Sequence, residues 1–158
     1  MKELLTRRQP APPESSQRRI EEMTEALQQA GQRITPQRLA VLKILAQNSE
    51  HPSVEVIYEQ VVREFPTTSL ATVYKTLTLL KSLNQVLELG FAHWGSRYDG
   101  KTPHPHPHAV CLRCGAIADP EVPNVEEMAQ EMARRSGYRI DRHQLDFFGL
   151  CPDCRKKA

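Results

Sequence analysis

The sequence predicts an α+β fold, in which a winged helix-turn-helix domain precedes a small α/β domain with a four-cysteine zinc site. Helical apolar stripes fill the first half of the chain, and two short strands follow them. In the second half, two C-x-x-C motifs bracket a strand–helix–strand pattern. We expect a disordered tail over 1–16, the winged-helix domain over 17–99 and the second domain over 100–158.

Composition limits the class of protein. The 158 residues are 39% hydrophobic and carry a formal net charge of +2. Because neither half is strongly basic, any nucleic-acid binding must come from a local patch. The first residues lack the apolar run of a signal peptide, and no segment is apolar enough to span a membrane. We therefore expect a cytoplasmic protein without a membrane partner.

Local sequence signals delimit the first two helices. The first is predicted over 17–30, and Gly31 provides its end. Thr35 can cap the second, with Pro36 in its first position. The apolar stripes of these helices consist of Ile20, Met23, Leu27 and Ala30, and of Leu39, Leu42, Leu45 and Ala46.

Two further helices and a hairpin complete the predicted winged helix. Ser53 begins the third helix and Ser69 caps the fourth. Their apolar stripes are Val54, Ile57, Val61 and Phe65, and Leu70, Val73, Leu77 and Leu80. Short strands at 86–90 and 96–99 then flank a tip, as in a wing.

The opposite face of the fourth helix is a candidate DNA-binding surface. Thr72, Tyr74, Lys75 and Thr76 lie near its N-terminal end, beside Ser69. The N-terminal end of a recognition helix contacts base edges in the major groove. A solvated helix face is the alternative interpretation, and the neighbouring helices and wing favour DNA binding.

The second domain shows a strand–helix–strand pattern. Short strands are predicted at 108–110 and 116–118, on either side of the first C-x-x-C motif. Asn124 is expected to cap a helix, with Glu127 completing a capping box and Gly137 ending the helix. The predicted inner face of this helix is Val125, Met128 and Met132. An extended strand is predicted over 138–150.

The cysteines predict a structural zinc site. Cys111, Cys114, Cys151 and Cys154 are all of the cysteines in the chain, and four thiolates suit a closed tetrahedral Zn²⁺. A redox dithiol is the alternative for a single C-x-x-C motif. A second donor set lies within 99–119, where histidines and aspartates suit iron, manganese, nickel or zinc.

Several motifs, in a fixed order, resemble the ferric uptake regulator family. They are R-I-T-P-Q-R (33–38), H-P-S (51–53), L-A-T-V-Y-K-T-L (70–77), H-P-H-A-V-C-L-R-C-G (106–115) and C-P-D-C (151–154). Within the family the chain looks most like the peroxide-sensing repressors. The resemblance implies a metal-dependent, dimeric repressor with a winged-helix DNA-binding domain, a hinge and a dimerisation domain. It also implies a homodimer on an inverted-repeat operator in double-stranded DNA.

The resemblance also implies a regulatory metal site for Fe²⁺ or Mn²⁺, separate from the structural Zn²⁺. Its candidate ligands are His51, Asp99, His106, His108 and Asp119. In the resemblance, peroxide sensors have Asp at the position of Asp119, whereas ferric uptake regulators usually have Glu. The P-H-P-H-P-H run departs from the family pattern and adds His104, which we interpret as a bystander. Between His106 and His108, Pro107 stands where the family usually has a carboxylate. This puts in doubt a second nitrogen/oxygen metal site of the ferric uptake regulators, although His143 is at a position that matches that site.

Peroxide sensing through iron-catalysed oxidation of a histidine ligand is the expected function. The alternatives within the family are an iron-level repressor or another divalent-metal sensor. A metalloenzyme and a zinc-stapled interaction module are the alternatives outside it. We expect no enzyme activity, because the sequence lacks an H-E-x-x-H motif and an obvious general base.

Overall fold

The computed structural model describes residues 13–91 and 94–157. The chain divides into two compact units, one ending at His104 and the other beginning at Pro105. The predicted domain boundary, after Asp99, lies slightly before this division. Among the described residues, no helix combines the length and the apolar character needed to cross a bilayer.

The first unit, as far as it is described, contains four helices and a two-stranded hairpin. The elements are α1 Pro13–Gln29, α2 Pro36–Gln47, α3 Val54–Glu64, α4 Leu70–Ser82, β1 Leu87–Phe91 and β2 Gly95–Asp99. The strands pair antiparallel, with Leu87 opposite Asp99 and Phe91 opposite Gly95. This order of helices followed by a hairpin confirms the predicted winged helix-turn-helix fold.

Hydroxyl caps fix the start of three of these helices. Thr35 Oγ1 accepts a hydrogen bond from Arg38 N at 3.2 Å, and Pro36 takes the first helical position. In the same way, the hydroxyls of Ser53 and Ser69 accept hydrogen bonds from the backbone N–H groups of Val56 and Thr72. The predicted caps of α2 and α4 are therefore confirmed, and Ser53, predicted to begin the third helix, also caps α3.

Helix α1 begins earlier than the predicted start at Gln17. Pro13 takes the first position, where its missing N–H costs no hydrogen bond. Ser16 is buried, and its hydroxyl donates to the carbonyl of Ala46 in α2 at 3.3 Å. The tail predicted over 1–16 is thus helical from Pro13, and its remainder lies outside the described residues.

The apolar stripes meet in one core. Its fully buried side chains come from all four helices and include Met23, Leu27, Leu42, Leu45, Ile57, Val73, Leu77 and Leu80. Two expectations for α4 are wrong. Leu70 is 38% exposed because it lies in the first turn, and Thr76 is buried, with its hydroxyl donating to the carbonyl of Thr72 at 3.0 Å.

The second unit, over residues 105–157, contains a three-stranded sheet and two helices. Its elements are β3 His108–Cys111, β4 Ile117–Ala118, α5 Val125–Ser136, β5 Asp146–Gly149 and α6 Pro152–Arg155. The strand order is β4-β3-β5, with β4 antiparallel and β5 parallel to β3. The two short strands beside the first C-x-x-C motif are confirmed.

Two local predictions for this unit are wrong. Asn124 adopts a left-handed conformation with φ 67° and makes no side-chain capping bond, so the capping box does not form. Asn tolerates this conformation better than most residues. The strand predicted over 138–150 is limited to β5, because its partner β3 offers only four residues for pairing.

Helix α5 also differs from its predicted orientation. Met128 and Met132 are 50% and 58% exposed, and no residue of α5 is buried. Ala129 and Ala133 instead line a groove that α5 forms with residues 139–143. Small side chains of α5 therefore face this groove, and its two methionines are exposed in the single chain.

Candidate metal centres

The four cysteines converge within the second unit. Their sulfur atoms all lie within 4.8 Å of one another, and the sulfurs of Cys114 and Cys151 are 3.7 Å apart. Four sulfurs bound tetrahedrally to zinc at about 2.3 Å would be about 3.8 Å apart. Arg113, inside the first motif, donates to the carbonyl of Cys154 at 2.8 Å and joins the two motifs. The cluster fits a structural Zn²⁺.

The thiols of this cluster differ in how readily they ionise. The pKa of Cys111 is lowered to about 6 because backbone N–H groups, first that of Cys151, donate to its sulfur. The Cys151 N to Cys111 Sγ distance is 3.3 Å. Burial and the neighbouring cysteines raise the pKa of Cys154 to about 12. One thiolate thus forms readily, and a cation is needed for all four to ionise together.

Two of the predicted regulatory ligands meet inside the first unit. His51 Nε2 lies 3.1 Å from Asp99 Oδ2, and the two side chains are only 2% and 4% exposed. The other carboxylate oxygen of Asp99 accepts hydrogen bonds from the backbone N–H groups of Lys101 and Thr102, each at 2.9 Å. Asp99 therefore builds the turn after β2 and presents its second oxygen to His51.

Backbone contacts hold His51 in place. Its φ is 52°, a left-handed conformation that is uncommon for a residue other than glycine. The guanidinium of Arg97 in β2 donates to the carbonyl of His51, and to that of Glu50 at 2.8 Å. Tyr98 N donates to the carbonyl of Pro52 at 3.0 Å. The wing strand therefore fixes the loop that carries His51, a role for Arg97 that the sequence did not predict.

The other three predicted ligands meet inside the second unit. His106 Nε2 and His108 Nε2 each lie 3.9 Å from Asp119 Oδ1, and the imidazole rings are 4.4 Å apart. These distances are longer than a hydrogen bond. They are within the roughly 4.4 Å that can separate two ligands of one ion whose bonds are about 2.0–2.2 Å long. This donor set fits a divalent cation.

One more carboxylate contacts this set. Asp146 Oδ1 lies 3.3 Å from His108 Nδ1, whereas the other ring nitrogen, Nε2, is the one near Asp119. The sequence offered no local signal for this pair, because 37 residues separate the two positions. Parallel pairing of β3 with β5 places them side by side.

The remaining histidines differ in their surroundings. His104 is exposed. His143 is half-buried, and its Nε2 has no hydrogen-bond partner within the described part of the chain. It lines the groove beside α5 together with Glu126. His93 lies outside the described residues.

The candidate DNA-binding residues lie at the start of α4. Tyr74 is 44% exposed, and Lys75 and Thr72 are also exposed. The hydroxyls of Ser69 and Thr72 are 2.9 Å apart, and Ser69 caps the helix, so these two residues also stabilise the helix start. Tyr74 and Lys75 are therefore the long exposed side chains of this face.

Comparison with known proteins agrees with this architecture. The model of the ferric uptake regulator family matches residues 29–148. The peroxide-responsive repressor PerR of Staphylococcus aureus is 35% identical over 144 residues, which are 91% of this chain and 97% of that protein.

Solved structures show the same fold. The Campylobacter jejuni peroxide stress regulator superposes with a TM-score of 0.68 at 30% identity, covering 85% of this chain and 98% of that one. The Helicobacter pylori ferric uptake regulator gives a TM-score of 0.76 at 24% identity, covering 93% and 97%, and is similar in fold. The chain belongs to the ferric uptake regulator family.

Proposed function

We propose that this protein is a metal-dependent transcriptional repressor that senses hydrogen peroxide. The observation that carries the proposal is the separation of two donor sets within the second unit. The four sulfurs form one cluster, while His106, His108 and Asp119 form another that contains no sulfur. A structural cation and a redox-active cation can therefore bind at different places.

The regulatory ion would be Fe²⁺ or Mn²⁺, bound by His51, Asp99, His106, His108 and Asp119. Nitrogen and oxygen donors suit both ions. His51 and Asp99 belong to the first unit, and the other three ligands belong to the second. An ion bound by both sets would favour one arrangement of the two units over others, which couples metal binding to DNA binding.

Bound Fe²⁺ would supply a redox-active centre that activates peroxide. The oxidisable side chains placed closest to it would be the imidazoles of His51, His106 and His108. In the net reaction, peroxide transfers one oxygen atom to an imidazole and is released as water. An oxidised imidazole is a poorer ligand, so the two units would lose their fixed arrangement and the operator would be released.

Exposed apolar surface in the second unit supports a homodimer. Phe147 and Phe148 in β5 are 58% and 55% exposed, and Met128 and Met132 add a similar surface on α5. Exposed large apolar side chains that form a patch mark an interaction site. A two-fold dimer would place one winged helix on each half-site of an inverted repeat.

The first unit would bind DNA through α4. Tyr74 and Lys75 would contact bases. Ser69 and Thr72, at the start of the helix, would contact the sugar–phosphate backbone of the DNA. We propose a regulator rather than an enzyme, as its curated relatives are named repressors. A repressor works in the compartment that holds the DNA, so we propose a cytoplasmic location.

One experiment tests this function. The protein is loaded with Zn²⁺ and then with either Fe²⁺ or Mn²⁺, and binding to an inverted-repeat duplex is followed during a peroxide titration. We expect both forms to bind and only the iron form to be released by peroxide. Release of neither form, with binding controlled by iron concentration alone, would favour an iron-level repressor.

A further inference from the structure

Asp146 lies beside His108 on the neighbouring strand. The two residues are register partners in the parallel β3–β5 pair, and Asp146 Oδ1 lies 3.3 Å from His108 Nδ1. The side chains are 12% and 2% exposed, so solvent screens this contact little.

The two oxygens of Asp146 have different surroundings. Oδ2 accepts a hydrogen bond from the side-chain amide of Gln144. Oδ1 is buried and has no hydrogen-bond partner within residues 13–91 and 94–157. The imidazole nitrogen 3.3 Å away is thus the polar group placed to satisfy it.

From this arrangement we propose that Asp146 is a positioning residue that keeps the Nδ1 of His108 protonated and so directs its Nε2 to the regulatory metal. An ionised carboxylate can only accept hydrogen bonds, so it selects the tautomer that carries the proton on Nδ1. In that tautomer Nε2 has its lone pair available. Nε2 is also the nitrogen that lies 3.9 Å from Asp119 Oδ1.

This inference rests on the proposed function, because it requires His108 to be a ligand of the regulatory ion. A carboxylate on the outer nitrogen of a ligating histidine fixes the ring and increases its basicity. Removing such a partner lowers metal affinity by about 10–100-fold. Asp146 would therefore set how tightly the second unit holds the ion without touching it.

The substitution D146N tests the proposal in the full-length, zinc-loaded protein. Asn has the same shape as Asp but lacks its charge and can present N–H as well as C=O, so it no longer selects one tautomer. We expect Mn²⁺ affinity, measured by competition with a fluorescent chelator, to fall about 10–100-fold. D146E, which restores a carboxylate, is expected to recover part of the loss. The control D141N changes an exposed aspartate that pairs with Arg139 and should bind Mn²⁺ like the wild type.

Two further measurements separate the possible failures. Long-range nitrogen–proton NMR of the wild-type chain, free of regulatory metal and at a pH where the ring is neutral, should show His108 with its proton on Nδ1. This readout needs no variant, so it stands even if D146N fails to fold. His106→Ala should abolish Mn²⁺ binding if the proposed regulatory site is correct.

The outcomes are distinct. A proton on Nε2 of His108 in the wild type, or a D146N protein that binds Mn²⁺ normally while His106→Ala does not, would overturn the role of Asp146 and leave the proposed function standing. Normal Mn²⁺ binding by His106→Ala would instead show that the proposed regulatory site is wrong.

Discussion

Asp99 Oδ2 lies 3.1 Å from His51 Nε2, while Asp99 Oδ1 accepts two backbone hydrogen bonds in the turn that follows β2. One carboxylate thus serves both local folding and a candidate metal site. The two roles can be separated by substitution, because only one of them needs the negative charge.

The substitution D99N should keep the turn and weaken the metal site. Its side-chain carbonyl can still accept from Lys101 and Thr102, whereas the charged ligand is lost. We expect Mn²⁺ affinity to fall by at least about 10–100-fold, the loss that even an outer-shell partner causes. D99A should lose the turn bonds as well and lower the free energy of unfolding by about 1–3 kcal/mol more. The same thermal unfolding for D99N and D99A, or wild-type Mn²⁺ affinity in D99N, would contradict the dual role.

Arg97 should control the metal site from a distance. R97M removes the guanidinium that holds the carbonyls of Glu50 and His51, so the loop that carries His51 should loosen. Hydrogen bonds from a charged donor contribute about 1.5–3 kcal/mol, and we expect a stability loss of that order together with weaker Mn²⁺ binding.

The control for Arg97 is Lys43→Met, which removes an exposed cation from α2. It should leave stability and Mn²⁺ binding unchanged. If R97M behaves like this control in calorimetry and in metal titration, Arg97 does not position His51.

The structural zinc should be essential to the second unit. Cys111→Ser removes the thiol whose pKa is lowered to about 6, and the unit has little buried core to compensate. We expect loss of zinc, a lower melting temperature and a monomeric mass by light scattering. A zinc-free C111S protein that stays dimeric and melts like the wild type would contradict a structural role.

Lys75 and Tyr74 should contribute to specific DNA recognition. Replacing either by Ala is expected to weaken operator binding by about 1–3 kcal/mol, the range for a base-contacting group. Binding to scrambled DNA should change less. Thr78→Ala, at an exposed position further along α4, is the control and should bind like the wild type. An equal loss on operator and scrambled DNA would show that the two side chains contact phosphates only.

The winged-helix fold could be predicted because its signals are local. Thr35, Ser53 and Ser69 each bond to the backbone three residues later, so a short stretch of sequence defines each helix start. The donor types also identify the metal chemistry, since the sulfur and the histidine–aspartate sets differ in composition.

The details that sequence did not predict depend on distant partners. The length of β5 depends on β3, and residues 139–143 complete the groove beside α5. Arg97 in β2 and Asp146 in β5 contact His51 and His108, from which they are 46 and 38 positions away in the sequence. No periodicity or motif in one segment reports such pairs, because they arise only when the strands come together.

The most direct test of peroxide sensing is peptide mass spectrometry after peroxide treatment of the Fe²⁺ form, with the Mn²⁺ form as the control. We predict that one oxygen atom is added to His51, His106 or His108 in the iron form, in parallel with the loss of operator binding, and that the manganese form is unmodified. Modification confined to Cys111, Cys114, Cys151 or Cys154, with all three histidines intact, would contradict it and place the sensor at the thiols.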